Sequence, residues 1–111
     1  MGYIKHHGIV VSASNQKYIK NPHEKALEIF GETVTEIIES GINGYVSFFI
    51  APDGSKEGWE ESDRGDLNRD HFKNWVKHYD GFIDCVEIYY GGDEPEFLGI
   101  ENIGFDCDEP D

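Results

Sequence analysis

Cysteine is scarce in this chain: Cys85 and Cys107 are its only two. Two thiols cannot build a disulfide framework, and their spacing matches no zinc motif, so no staple and no structural metal is expected. No apolar run approaches the ~20 residues of a membrane span. The opening MGYIKHHGIVV lacks the charged, apolar and small-residue regions of a signal peptide. Gly2 invites myristoylation, but His6 stands where that motif needs Ser or Thr. These absences predict a reducing cytoplasm. Positive charge is also scarce. Nine Lys and Arg face 23 Asp and Glu, for a formal net charge of -14. None of the nine follows Lys77, whereas eleven acidic residues do. Such a surface repels phosphate backbones, which argues against direct nucleic-acid binding. Its plainest role is to keep the chain dispersed, and a further one is to imitate a phosphate backbone in a basic groove of another protein.

The 111 residues fit one domain with a single core. Apolar residues at 38% and aromatics at 14% mark a globular chain. There is no internal repeat, low-complexity tract or linker. Residues 1–105 are read as the domain and 106–111 (DCDEPD) as a disordered acidic tail.

Residues 3–12 read as a strand, with Ile4, His6 and Val10 on one face and Lys5, His7, Ile9 and Val11 on the other. Residues 13–21 read as a polar connection. Asn21-Pro22-His23-Glu24 predicts a helix start, with Asn21 as cap and Glu24 closing a capping box. His23, Ala26, Leu27 and Phe30 share a helical face, and Gly31 is the stop. Residues 33–39 are a weaker strand. Asn43-Gly44 is a hairpin signal, and residues 45–50 (YVSFFI) are the clearest strand. Pro52-Asp53-Gly54 ends it. A second helix is predicted from Ser62 or Asp63 to about His78, with Phe72, Trp75, Val76 and Tyr79 as its apolar stripe. Residues 82–90 form a strand with Val86, Ile88 and Tyr90 on one face, and 97–103 an edge strand. The order is α+β, ferredoxin-like βαββαβ: an antiparallel sheet with two helices on one face plus an extra C-terminal edge strand. The helix-free face should expose aromatics such as Tyr89 and Tyr45 or Phe49, which points to a homo-oligomer.

Four of the nine basic residues (Lys56, Arg64, Arg69 and Lys73) fall within 43–75. Concentrated cations beside a loop aromatic suit a small anionic, nucleotide-like ligand. The predicted ligand-binding residues are His6, His7, Ser55, Lys56, Trp59, Arg64 and Arg69. Backbone amides of the Asp53–Lys56 turn would face the anion, and Arg69 would close from the helix. The plainer readings are a solvated turn and a Trp59 that plugs the core. His6 and His7 point to opposite faces of a strand, so they cannot chelate one metal as a pair. The glycine spacing of a Walker loop is missing, and no Ser-His-Asp or Cys-His order has local support. No cofactor, metal or covalent catalysis is therefore expected. The acids from Glu60 to Asp70 suit the N-terminal end of a helix without further explanation.

The opening YIKHHGIVVSA, joined to INGYVSFFIAPDGSKEGWEESDRGD, resembles a group of small uncharacterised proteins of tailed bacteriophages and prophages. Their pattern is a Y-I-R/K-H-H-A-I-V-V start followed by an N-G-Y…S-F…P-D-G-S-K-E-G-W block. The match spans most of residues 1–75, with Gly8 in place of Ala. The resemblance implies a phage-encoded protein acting in the host cytoplasm. It further implies a binding protein that antagonises a host defence system, by sequestering an anionic or nucleotide signal or by blocking a host protein. The alternatives are a nucleic-acid mimic, a small hydrolase using His6 or His7 as acid–base, and an accessory protein with no anti-host role.

Overall fold

The computed structural model describes residues 5–52, 60–79, 81–91 and 98–103. The Pro52-Asp53-Gly54 turn beyond Pro52, the predicted site residues Ser55, Lys56 and Trp59, and the predicted tail lie outside them. Strand β1 (Lys5–Ala13) sets the architecture through its alternation. Its odd-numbered Ile9, Val11 and Ala13 are buried, while the even-numbered His6, Val10 and Ser12 face the other way. It is followed by helix α1 (Gln16–Phe30), a short turn of helix at Gly31–Thr33, and strands β2 (Ile38–Glu39) and β3 (Val46–Ile50). Helix α2 (Glu60–Lys77), strand β4 (Ile83–Gly91) and strand β5 (Leu98–Asn102) complete the order.

The five strands form one antiparallel sheet in the order β2-β3-β1-β4-β5. The molecule is thus α+β, and β5 outside β4 makes the sheet larger than a four-strand βαββαβ unit. Both helices lie on the same face: the His23 ring of α1 packs on Phe48, and Lys73 of α2 bonds Glu87. The core between them joins Ile9, Val11, Phe48 and Cys85 of the sheet to Ile19 and Ala26 of α1 and to Phe72 and Val76 of α2. Complete burial of Phe48 and Phe72 contributes roughly 1.5–3 kcal/mol each. Leu27, expected on the inner face of α1, is instead 44% exposed.

The hairpin follows its sequence signal. Asn43 and Gly44 both take positive φ (55° and 72°), as a type I′ turn requires, and Tyr45 N donates to Ile42 O at 3.1 Å. Helix α1 departs from expectation by starting at Gln16, so residues 16–21 are helical rather than a polar connection. Asn15 is the cap, and its side chain accepts from Tyr18 N. Pro22 then sits inside the helix, where it has no N–H for the Tyr18 carbonyl. The Tyr79 hydroxyl supplies that missing donor at 2.8 Å, which explains why the helix runs through a proline. The predicted strand 33–39 narrows to Ile38–Glu39. Around Thr35 the ladder is shared with a side chain: Phe49 N donates to Thr35 Oγ1, while Thr35 N donates to Phe49 O.

Candidate functional site

Glu87 organises the functional end of the sheet. It stands on β4 opposite Ile9 of β1 and Glu101 of β5, facing the helices, and is only 5% exposed. A buried carboxylate needs partners, and Lys73, Arg69 and His7 surround it. Lys73 Nζ donates to Glu87 Oε1 at 2.7 Å. His7 Nδ1 lies 3.3 Å from Oε2, and Arg69 Nε lies 3.6 Å from the same oxygen. Burial alone would raise the carboxyl pKa, but hydrogen bonds from His7 and Lys73 and their charges outweigh it and hold it down at about 2.

The helix places the cations by its period. Arg69 and Lys73 are one turn apart on the face of α2 that meets Glu87. Each also has an exposed acid three residues earlier, Asp66 on Arg69 and Asp70 on Lys73, the latter pair at 4.0 Å. Arg64 lies further toward the start of α2 and pairs with Glu60 at 3.6 Å.

Two adjoining clefts open beside this cluster. The smaller, about 140 Å³, is lined by the polar His7, Arg64, Asn68 and Arg69 together with the apolar Phe30 and Ile50. The larger, about 450 Å³, shares His7 and Arg69 and adds Lys73, Tyr89 and four carboxylates. Among the described residues, no three His, Cys, Asp or Glu side chains converge to hold a metal ion. None of the helices among them is long and apolar enough to cross a membrane.

Of the predicted site residues, His7, Arg64 and Arg69 line one cleft. His6 does not join them; strand alternation turns it to the opposite face, where its ring packs on Tyr90 at 5.0 Å. Ser55, Lys56 and Trp59 lie outside the described residues, although Ala51 and Arg64, which bracket them in sequence, both line the smaller cleft. Tyr89, expected on the helix-free face, is across from His7 in register and lines the larger cleft. Glu87 and Asn68 are absent from the predicted site, and Lys73 was named among the concentrated cations but not among the ligand-binding residues. The signal for Glu87 was an acid at the alternation position shared by Cys85. Cys85 is itself no nucleophile: burial foremost, then the Glu87 charge, push its thiol up to about 12 against the opposing pull of Lys73.

Neither protein-family models, nor curated proteins, nor solved structures show a match to this chain.

Proposed function

We propose that this protein binds a small anionic ligand, with the anion seated between His7, Arg64 and Arg69. The observation that carries the reading is the convergence of these side chains on one cleft, in a chain whose net charge is -14. Chance placement of so few cations would leave them dispersed. Here a buried carboxylate gathers His7, Arg69 and Lys73 and fixes their orientation. A cleft of about 140 Å³ is smaller than the ~300–1,000 Å³ that encloses a drug-sized ligand, so it suits a phosphate or carboxylate head. The rest of a nucleotide-like ligand has room in the neighbouring cleft, whose carboxylates accept from ribose hydroxyls and base amines. The resemblance to phage proteins gives the setting: a ferredoxin-like unit extended by β5, acting in the host cytoplasm to withdraw an anionic signal from a host defence system.

A nucleic-acid mimic fits less well. Three of the five acids of α2 are paired: Glu60, Asp66 and Asp70 each meet a cation three or four residues on. One observation favours a second reading, a hydrolase with His7 as acid–base: the His7–Glu87 contact at 3.3 Å in a cleft. Glu87 would orient that ring, but it is shared with Lys73 and Arg69 rather than dedicated to His7.

The test is calorimetric titration with inorganic phosphate and with AMP, comparing the wild type with Arg64→Ala and Arg69→Ala. Loss of one charge-assisted contact should weaken binding by about 1.5–3 kcal/mol, roughly 10- to 150-fold. No measurable binding of either probe by the wild type, or undiminished binding by both variants, sinks the proposal. Phosphate-ester turnover that disappears in His7→Asn would move the weight to the hydrolase.

A further inference from the structure

The helix-free face of the sheet carries an apolar residue on every strand, with His6, Ser12, Ser47 and Asn102 as its uncharged polar members. Ile38 of β2 is 61% exposed, and Leu98 and Ile100 of β5 are 72% and 71% exposed. Between these edges lie Phe49, Val10, Val86, Ile88 and Tyr90, placed on this face by the register. The Phe49 ring lies across Gly8, where an added Cβ would come within 2.8 Å of it. The same register leaves Asp84 as the one charged side chain among the described strand residues on this face; Glu39, Glu87 and Glu101 point to the helices.

We infer that this face is a dimer interface and that its occupant is a second copy of this chain. Charge bears on where two copies can meet. At net charge -14 they repel, and the repulsion is smallest on this face, where Asp84 is the one charged side chain among the described strand residues. A basic partner would be drawn instead to the acidic helical side. Area supports the same choice. Strands of up to nine residues, spaced ~4.8 Å apart, make a face on the order of 600 Å², so two copies bury about 1,200 Å², the lower end of stable interfaces. The geometry is self-complementary. A two-fold axis along the strands, between two stacked sheets ~10 Å apart, lays the β2–β3 edge of one copy over the β5 edge of the other. On this axis Val10 of the central β1 meets its own counterpart, and Val86 of β4 lies over Phe49 of the other copy. The anion clefts open on the opposite face and stay accessible in both copies.

Sedimentation equilibrium from ~1 to 100 μM tests this at physiological salt. The wild type should dimerise in the micromolar range, and its melting temperature should rise with concentration. Ile100→Asp puts a carboxylate into the contact twice, once per copy, and should weaken the dimer by ~100-fold or more, a tenfold loss for each. Leu98→Asp is an independent variant on the same strand, and circular dichroism checks that both fold. Leu67→Asp, at a position 69% exposed on α2, is the control and should leave the dimer intact. A wild type that remains monomeric at ~100 μM overturns the inference. So does a dimer that survives both β5 variants, or one that Leu67→Asp dissociates.

Discussion

Replacing Glu87 by glutamine should destabilise the protein by about 3 kcal/mol at neutral pH while strengthening, not weakening, its hold on phosphate. The first figure follows from the carboxyl group's position. Its pKa is lowered from 4.5 to about 2 in the folded protein, a difference that corresponds to about 3 kcal/mol of stability. Because the folded value is the depressed one, that stability is complete above pH 4.5 and is lost as pH falls toward 2. Glutamine keeps the shape and one acceptor oxygen for Lys73 but loses the charge. Arg69 and Lys73 retain Asp66 and Asp70, so the site does not collapse. The melting temperature should fall by roughly 10–20 °C.

The binding figure weighs two opposed effects. A phosphate against His7 and Arg69 would lie about 6 Å from the Glu87 carboxylate, where repulsion at an effective dielectric constant near 20 is about 3 kcal/mol per unit charge. Removing Glu87 relieves this. It also loosens Arg69 and Lys73, at about 0.5–1.5 kcal/mol per side chain to be re-ordered, and the retained Gln oxygen keeps Lys73 at the low end. Relief of repulsion wins, and phosphate affinity should rise several-fold. Urea unfolding of both proteins at pH 7 and at intervals down to pH 2, with phosphate titration at pH 7, measures both quantities. A stability gap below ~0.5 kcal/mol at pH 7, or one that does not close between pH 4.5 and 2, refutes the electrostatic account. A tenfold loss of phosphate affinity would show that Glu87 matters chiefly by ordering its cations.

Other consequences of the structure are open to equally direct tests. Tyr79→Phe removes the donor to the Tyr18 carbonyl and should cost about 1–2 kcal/mol by urea unfolding; in a Pro22→Ala background, where residue 22 regains its N–H, the cost should shrink, and strict additivity would exclude the substitution of one donor for another. Cys85, with its thiol pushed up to about 12, should resist alkylation in the native protein at pH 8 and react only on unfolding, as peptide mass spectrometry can follow; rapid native labelling would contradict its burial.

Local signals in the sequence were reliable where the chain obeys them locally. Asn43-Gly44 places a type I′ hairpin because both residues accept positive φ without help from elsewhere. Phe72 and Val76 reach the core because a four-residue spacing fixes one helical face. The start of α1 was misplaced because Asn21-Pro22 is a sound local start signal, overridden by Asn15 and by a tyrosine 61 residues from the carbonyl it satisfies. Likewise, Thr35 breaks the second strand through its own side chain, which no alternation pattern reveals. At the site, the scarcity of cations pointed to Arg64 and Arg69, and alternation separated His7 from His6. What could not be read was which sheet face the helices cover, since Val86, Ile88 and Tyr90 are as apolar as a buried face needs. Without that choice Glu87 reads as an ordinary solvent-facing acid.

The pairing of Arg64, Arg69 and Lys73 with nearby acids bears on how the site would work. Arg64–Glu60 is an exposed pair, both side chains more than half in solvent, and pairs of this kind are worth about 0.2–1 kcal/mol and weaken with salt. An arriving phosphate can displace Glu60 from Arg64 at small cost. Lys73–Glu87 is different: at 2.7 Å, with the glutamate buried, it keeps its geometry whether or not a ligand is present. Arg69 stands between these cases, mostly covered, with its Nε toward Glu87 and an Nη on the exposed Asp66. The ligand would thus compete for Arg64 and for the outer end of Arg69, while the inner end of Arg69 stays fixed on Glu87. Fixed inner contacts limit the entropy lost on binding, and exchangeable outer ones keep the cations from attracting neighbouring molecules when the cleft is empty. The acidity of α2, in this account, holds a positive site in reserve within a negative protein.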